Sequence, residues 1–298
     1  MNPTQRILLT GRNGQLGTEC GLIIPADCEV IAVDFPEFDL ADADVLAQTV
    51  RDVQPSILLH TAAWTAVDKA EEHEAEAFAI NATATDVLAS CMAEIGGRMV
   101  YVSTDYVFSG EGDVPWREDD AVAPLNAYGR TKLAGEQALA AHLGDRGHVV
   151  RTSWLYGRCG ANFVRTMLNL MSSGRALKVV EDQVGSPTWA GGLAQALFAL
   201  ARASDAPPIL HFTDEGIVSW FDFAVAIRDC GLENGLSLAD SSVSACPGTE
   251  YPTPAARPSW SPMHFSDAWE DLGISPSNWK QALQEALPLL LQEDAKTV

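Results

Sequence analysis

The sequence is short of positive charge. Acidic residues outnumber basic ones 40 to 19, lysine is rare, and the formal net charge is −21. Nucleic acid needs a basic surface for its phosphates, so this balance argues against it as a partner. Solubility accounts for the acidity, and a salty habitat would produce the same bias. Long apolar runs are also missing. Ile7–Leu9 and Ile57–Leu59 are strand-length, far below the roughly 20 residues that span a bilayer. The N-terminus enters a strand almost at once, with no basic-then-apolar signal pattern. The expectation is a cytoplasmic protein without a membrane partner. Paired cysteines are absent as well. Cys20, Cys28, Cys91, Cys159, Cys230 and Cys246 form no CxxC, and no Cys/His cluster has zinc spacing. Reduced, packed thiols are expected, with neither a disulfide framework nor a metal centre.

What is present is an ordinary globular composition, 47% hydrophobic and 20% charged over 298 residues, long enough for two lobes and without an internal repeat. The first half alternates short apolar runs with longer amphipathic ones. Strands are expected at Arg6–Thr10, Glu29–Val33, Ser56–His60, Met99–Ser103 and His148–Arg151. Helices are expected at Gln15–Ile24, Asp42–Val53, Glu72–Ala93 and Ala127–His142. Such alternation implies parallel strands with crossover helices on both faces, an α/β Rossmann-type doubly wound sheet over residues 1–150. Residues 151–298 are less regular and are expected to form mainly a smaller substrate-binding lobe. Helices are read at Phe163–Ser172, Gly191–Arg202 and from Ser219, which is set to cap with Asp222 in the first turn. Short strands at Leu177–Val180 and Ile209–Phe212 are expected to return to the main sheet. Residues 237–262, rich in Ser and Pro, read as irregular, and a last helix at Trp279–Leu291 ends in a frayed tail from Gln292.

The chemistry begins at Gly11-Arg12-Asn13-Gly14-Gln15-Leu16-Gly17, between the first strand and first helix. Glycines there permit a tight turn and close approach of a diphosphate, and the helix start offers free N–H groups. A lone glycine loop says little, but in this βαβ context it predicts dinucleotide binding. Asp34, ending the second strand, would take the adenosine ribose 2′-OH and disfavour a 2′-phosphate, whereas Arg12 could pair with that phosphate. The two cues conflict, leaving NADH and NADPH both open. Asp39-Leu40 could contact adenine or cap the helix that follows. Small residues about Ala63, Trp64 and Thr65 suit close passage of the cofactor after the third strand. Asp68 reads as a helix cap, and Asn81 inside a helix calls for a polar partner. Val102 and Thr104 close the fourth strand at the sheet's carboxyl edge, where the Thr104 hydroxyl could meet a substrate carbonyl. Tyr128 and Lys132 stand four residues apart on one helix face. Such a pair is most often a packed phenol beside a solvated amine. A buried ammonium could instead lower the phenol pKa, about three units requiring roughly 4 kcal/mol.

TGxxGQLG, AAxTxVD, STDYVFSG and YGRTKLAGE together resemble the extended short-chain dehydrogenase/reductase family. Arg151-Thr-Ser-Trp154, Asp182-Gln-Val-Gly-Ser-Pro187-Thr188 and Tyr251-Pro-Thr-Pro-Ala-Ala-Arg257-Pro258 resemble the branch that reduces the C4 ketone of dTDP-linked 4-keto-6-deoxyhexoses. The resemblance implies NADPH or NADH as cofactor, Tyr128 as proton donor, Lys132 as its electrostatic partner and nicotinamide-ribose ligand, and Thr104 as the carbonyl-binding hydroxyl. It implies that Asp105 and Trp154 touch the sugar and that Arg257 faces the diphosphate or forms a structural ion pair. A monomer or homodimer is implied. Some relatives bridge subunits through carboxylate-held metal near the Pro-Thr segment. Here Pro187-Thr188 is followed by Trp189-Ala190-Gly191-Gly192 with no acid, which speaks against a metal link. Two other readings share these motifs: a reductase giving a different 6-deoxyhexose, such as a talose, and a non-catalytic regulator resembling the methionine adenosyltransferase β subunit.

Overall fold

The computed structural model describes residues 5–203, 205–238 and 242–297, without the side chains of 294–297. Six parallel strands form the central sheet: β1 (Gln5–Thr10), β2 (Cys28–Val33), β3 (Ile57–His60), β4 (Arg98–Thr104), β5 (Gly147–Thr152) and β6 (Ile209–His211), in the order β6-β5-β4-β3-β1-β2. All residues of β3 and β5 are buried, as are the last four of β1. That is what helices on both faces require. On one face α1 (Gln15–Leu22) and α5 (Ala190–Arg202) bury Leu16, Leu193 and Leu197 against Ile7, Leu9 and Leu59. On the other, α2 (Ala43–Val53), α3 (Ala84–Glu94) and α4 (Ala127–Leu143) bury Leu46, Leu88, Met92 and Leu139 against Leu8, Leu58 and Tyr101. Strand order reverses between β1 and β3, so a crevice opens beyond the carboxyl ends of these strands.

The strands and helices of the first half lie where the apolar pattern puts them, with ends shifted by a residue or two. The long helix expected at Glu72–Ala93 is present from Glu74 to Glu94, with a π-helical turn inside it. Helices Val67–Glu72 and Glu74–Phe78 meet at His73, and a π-helical turn at Ala79–Thr83 precedes α3. α1 stops at Leu22, short of Ile24, because Pro25 disfavours helical backbone before it. Asp42 caps α2, accepting from the N–H groups of Asp44 and Val45.

A second apolar cluster lies beside the sheet. It joins Val164 and Leu168 of Phe163–Ser172, Phe223 and Ile227 of Trp220–Glu233, and Leu283 and Leu287 of the last helix. The Ser219 cap forms a full capping box with Asp222. Two expectations for this half need correction. Leu177–Val180 does not return to the main sheet; it pairs in parallel with Val243–Cys246, inside the segment read as irregular, and only Ile209–His211 joins β5. The last helix also extends to Thr297, beyond the expected end at Leu291. No helix among the described residues is long and apolar enough to cross a membrane.

Candidate active site

A cleft of about 770 Å³ opens at the carboxyl edge of the sheet, between the glycine loop and the second apolar cluster. Its floor is the turn from β1 into α1. Gly11 has φ +77, and a Cβ there would lie 2.8 Å from the Ala62 nitrogen; at Gly17 a Cβ would lie 2.0 Å from the Gly11 oxygen. Both glycines are therefore demanded by close backbone approach. Gly14 caps α1 without any side-chain hydrogen bond, and no acid stands in its first turn. The free N–H groups and positive end of the helix thus face the cleft, a cradle suited to a diphosphate. Asp34 is pinned beside it by the N–H groups of Asn13 and Phe35, each 2.8 Å away. Arg12 turns from the cleft to pair with Glu37 and to donate to the Ala32 carbonyl.

The opposite wall carries Thr104, Asp105, Tyr128 and Lys132. Asn126 caps α4 by accepting from the Gly129 N–H at 2.9 Å, which fixes the first turn that carries Tyr128. Lys132, one turn further, is buried. Its ammonium donates to the Val102 carbonyl at 2.7 Å and sits 3.9 Å above the Tyr101 ring. Burial lowers its pKa to about 7 against the pull of Glu136. Glu136, a further turn on, is held by Arg151 through two hydrogen bonds of 3.0 and 2.8 Å, and both are buried. Thr104 donates to Asp105 at 2.9 Å. Burial raises the Asp105 carboxyl to about 6, offset in part by hydrogen bonds that begin with that from Thr104. Burial also pushes the Tyr128 phenol upward, and hydrogen bonding with Thr104 pulls it back only partly. The balance differs from the one its spacing to Lys132 suggests: desolvation outweighs any cationic help, and the resting phenol keeps its proton. His60, at the end of β3, bonds to Thr10 at 2.8 Å and stacks on Tyr101. Burial, then Lys132, lowers its pKa to about 3, so it stays neutral.

Trp154 forms the end wall. Its backbone has φ +47. Its indole lies over Gly185, where a Cβ would meet it at 2.5 Å, and is stacked on Trp220. The cleft is lined by every residue expected to bind cofactor or substrate except Arg12, Trp64 and Arg257. Trp64 stands just behind the lining. Asn81, in the π-helical turn, accepts from its N–H and donates to its carbonyl, and also donates to Thr131 of α4. The polar partners that Asn81 called for are thus the Trp64 backbone and Thr131. Arg257 is bonded to Asp68, 2.7 Å away, and Asp68 accepts from the Ala255 N–H instead of capping its helix. Tyr106, Trp220 and the Gly160-Ala161 loop also line the cleft, and sequence reading missed them. Tyr106 was legible within STDYVF, whereas Trp220 is far along the chain and carries only a helix-start signal. Among the described residues no His, Cys, Asp and Glu group is placed to hold a metal ion.

Known proteins share this architecture and sequence. The chain is 38% identical to the dTDP-4-dehydrorhamnose reductase of Escherichia coli (strain K12), over 94% of this chain and 96% of that one. The crystal structure of a dTDP-4-dehydrorhamnose reductase from Clostridium acetobutylicum superposes with a TM-score of 0.89 at 39% identity, over 96% of this chain and 100% of that one. A second such reductase, from Bacillus anthracis and in complex with NADP, superposes at 0.88 with 32% identity, over 96% and 99%. The family model described as RmlD substrate binding domain matches residues 5–291, and the chain belongs to that family.

Proposed function

We propose that this protein reduces the C4 ketone of dTDP-4-dehydro-L-rhamnose to give dTDP-L-rhamnose, the last step of dTDP-rhamnose synthesis, with NADPH or NADH. The observation that carries the reading is one cleft bringing a helix N-terminus bare of acid together with Thr104, Tyr128 and Lys132. Residues 1–150 hold the dinucleotide and residues 151–298 supply mainly the sugar wall. The cradle from Gly11 to Gly17 takes the diphosphate, Asp34 the adenosine ribose, and Asp39, Leu40 and Ala63–Thr65 flank the rest. When bound, the reduced nicotinamide supplies hydride to the sugar carbon.

The protein's own residues handle the oxygen and its proton. The Thr104 hydroxyl, which donates to Asp105 in the resting site, turns to donate to the carbonyl oxygen as negative charge builds there. Tyr128, kept protonated by its desolvated surroundings, gives its proton to that oxygen as the alkoxide forms. Lys132 then supplies the cation that offsets the tyrosinate left behind. Asp105 receives a sugar hydroxyl, and the Trp154 face covers the ring. The reaction takes place in the cytoplasm. Incubation with dTDP-4-keto-L-rhamnose and each nicotinamide, followed by loss of absorbance and NMR of the product, tests substrate, cofactor and stereochemistry together. Formation of dTDP-L-rhamnose supports the reading; no turnover, or a different sugar, refutes it.

A further inference from the structure

Arg257 stands outside the cleft and is built into a clamp on the start of α4. Its guanidinium donates to Asp68 at 2.7 Å, and the other Asp68 oxygen accepts from the Ala255 N–H at 3.2 Å. The irregular segment Ala255–Arg257 is tied to α4 itself, since the Asn126 amide donates to the Ala256 carbonyl at 2.9 Å while its oxygen caps the helix. Glu71, from the same short helix as Asp68, accepts from the Ala127 N–H at 2.7 Å. Three chain segments distant in sequence thus meet within two residues of Tyr128. Tyr106 completes the contact: its ring stands edge-on to Tyr128, 5.5 Å between centroids and 75° between planes.

We infer that the Asp68–Arg257 ion pair is a positioning element for Tyr128: it locks the Ala255–Arg257 segment onto the α4 N-terminus, whose first turn carries the phenol. Arg257 then acts through the start of α4 and does not contact the substrate diphosphate. This rests on Tyr128 being the proton donor. A displacement of about 1 Å in the reacting geometry can cost on the order of 100-fold in rate. The pair is partly exposed, 19% for the Arg257 side chain and 41% for Asp68, so its value lies in geometry more than in stability.

The test compares Arg257→Met, Asp68→Asn, the double variant, Arg257→Lys and, in the same assay, Tyr128→Phe, using dTDP-4-keto-L-rhamnose at saturating cofactor. Each single variant is expected to lower kcat about 10- to 100-fold with KM within about threefold, the double variant to be no slower than either single, and Arg257→Lys to recover part of the loss. Melting temperatures near that of the parent establish that the variants are folded. Arg257→Met raising KM with kcat intact while Asp68→Asn is silent would make Arg257 a substrate contact and overturn the proposal. Losses that multiply in the double variant would overturn it too. Undiminished turnover by Tyr128→Phe refutes the proton-donor reading itself, an outcome distinct from either.

Discussion

The indole of Trp154 lies flat on that of Trp220, with 3.5 Å between ring centroids and 7° between planes. Trp220 is backed in turn by Phe163, 4.5 Å away. The stack holds Trp154 in a left-handed backbone conformation that a bulky side chain adopts only when its surroundings impose it. Both indoles line the cleft. Replacing Trp220 with Ala removes the support and the ring contact, worth about 0.5–1.5 kcal/mol beyond area burial. The expected result is a KM for the sugar nucleotide raised up to about tenfold, with cofactor affinity unchanged. Steady-state kinetics and nucleotide titration measure both.

Lys132 carries a second prediction. Its folded pKa, about 7, lies below the usual lysine value of 10.5 because burial penalises the ammonium. Between these values the unfolded chain binds the extra proton, so the contribution of Lys132 to stability rises with pH across that window. In Lys132→Met this rise should vanish, so the melting temperature of the parent should gain on the variant from pH 7 toward pH 10. Turnover by the variant should fall at every pH. Parallel melting curves over this range would contradict the assignment.

Behind Lys132, Glu136 and Arg151 form a buried ion pair, with side chains 6% and 3% exposed. Deleting one partner strands the other charge. Glu136→Ala is expected to cost roughly 3–5 kcal/mol in urea unfolding. Arg151→Met should cost a similar amount, and the double variant less than the sum.

The sheet, its helices and the placing of Gly11, Thr104, Tyr128 and Lys132 were legible because each rests on a local pattern: apolar alternation, a glycine turn, a strand end, a helical spacing. What escaped was set by contacts distant in sequence. The π-helical turn at Ala79–Thr83 coincides with Asn81 binding the Trp64 backbone, which no helix propensity encodes. Val243–Cys246 becomes a strand only because Leu177–Val180 offers its edge. Asp68 reads as a cap until the Ala255–Arg257 segment, almost 190 residues away in sequence, claims its oxygens. The acidity of Tyr128 depends on how thoroughly the folded protein dries its surroundings, and spacing to a lysine carries no measure of that.

In the proposed site, Asp34 and Arg12 carry opposed cues for NADH and NADPH, and the structure separates them. Asp34 is anchored at the cleft by two backbone N–H groups, while Arg12 is engaged with Glu37. Asp34→Ala removes the charge that would repel a 2′-phosphate, and the ratio of kcat/KM for NADPH over NADH should rise about tenfold, some 1.4 kcal/mol. Glu37→Gln, by releasing Arg12, should move it in the same direction. A fall in the ratio for either variant would contradict this.

The central claim is that Tyr128 protonates the nascent alkoxide of a nucleotide ketosugar. Turnover of dTDP-4-keto-L-rhamnose by Tyr128→Phe, with the better of NADPH and NADH, tests it most directly. The loss of the phenolic proton should cut kcat by about 100- to 10,000-fold while nucleotide titration gives an affinity close to that of the parent. Turnover equal to the parent's, with dTDP-L-rhamnose still formed, would contradict the claim.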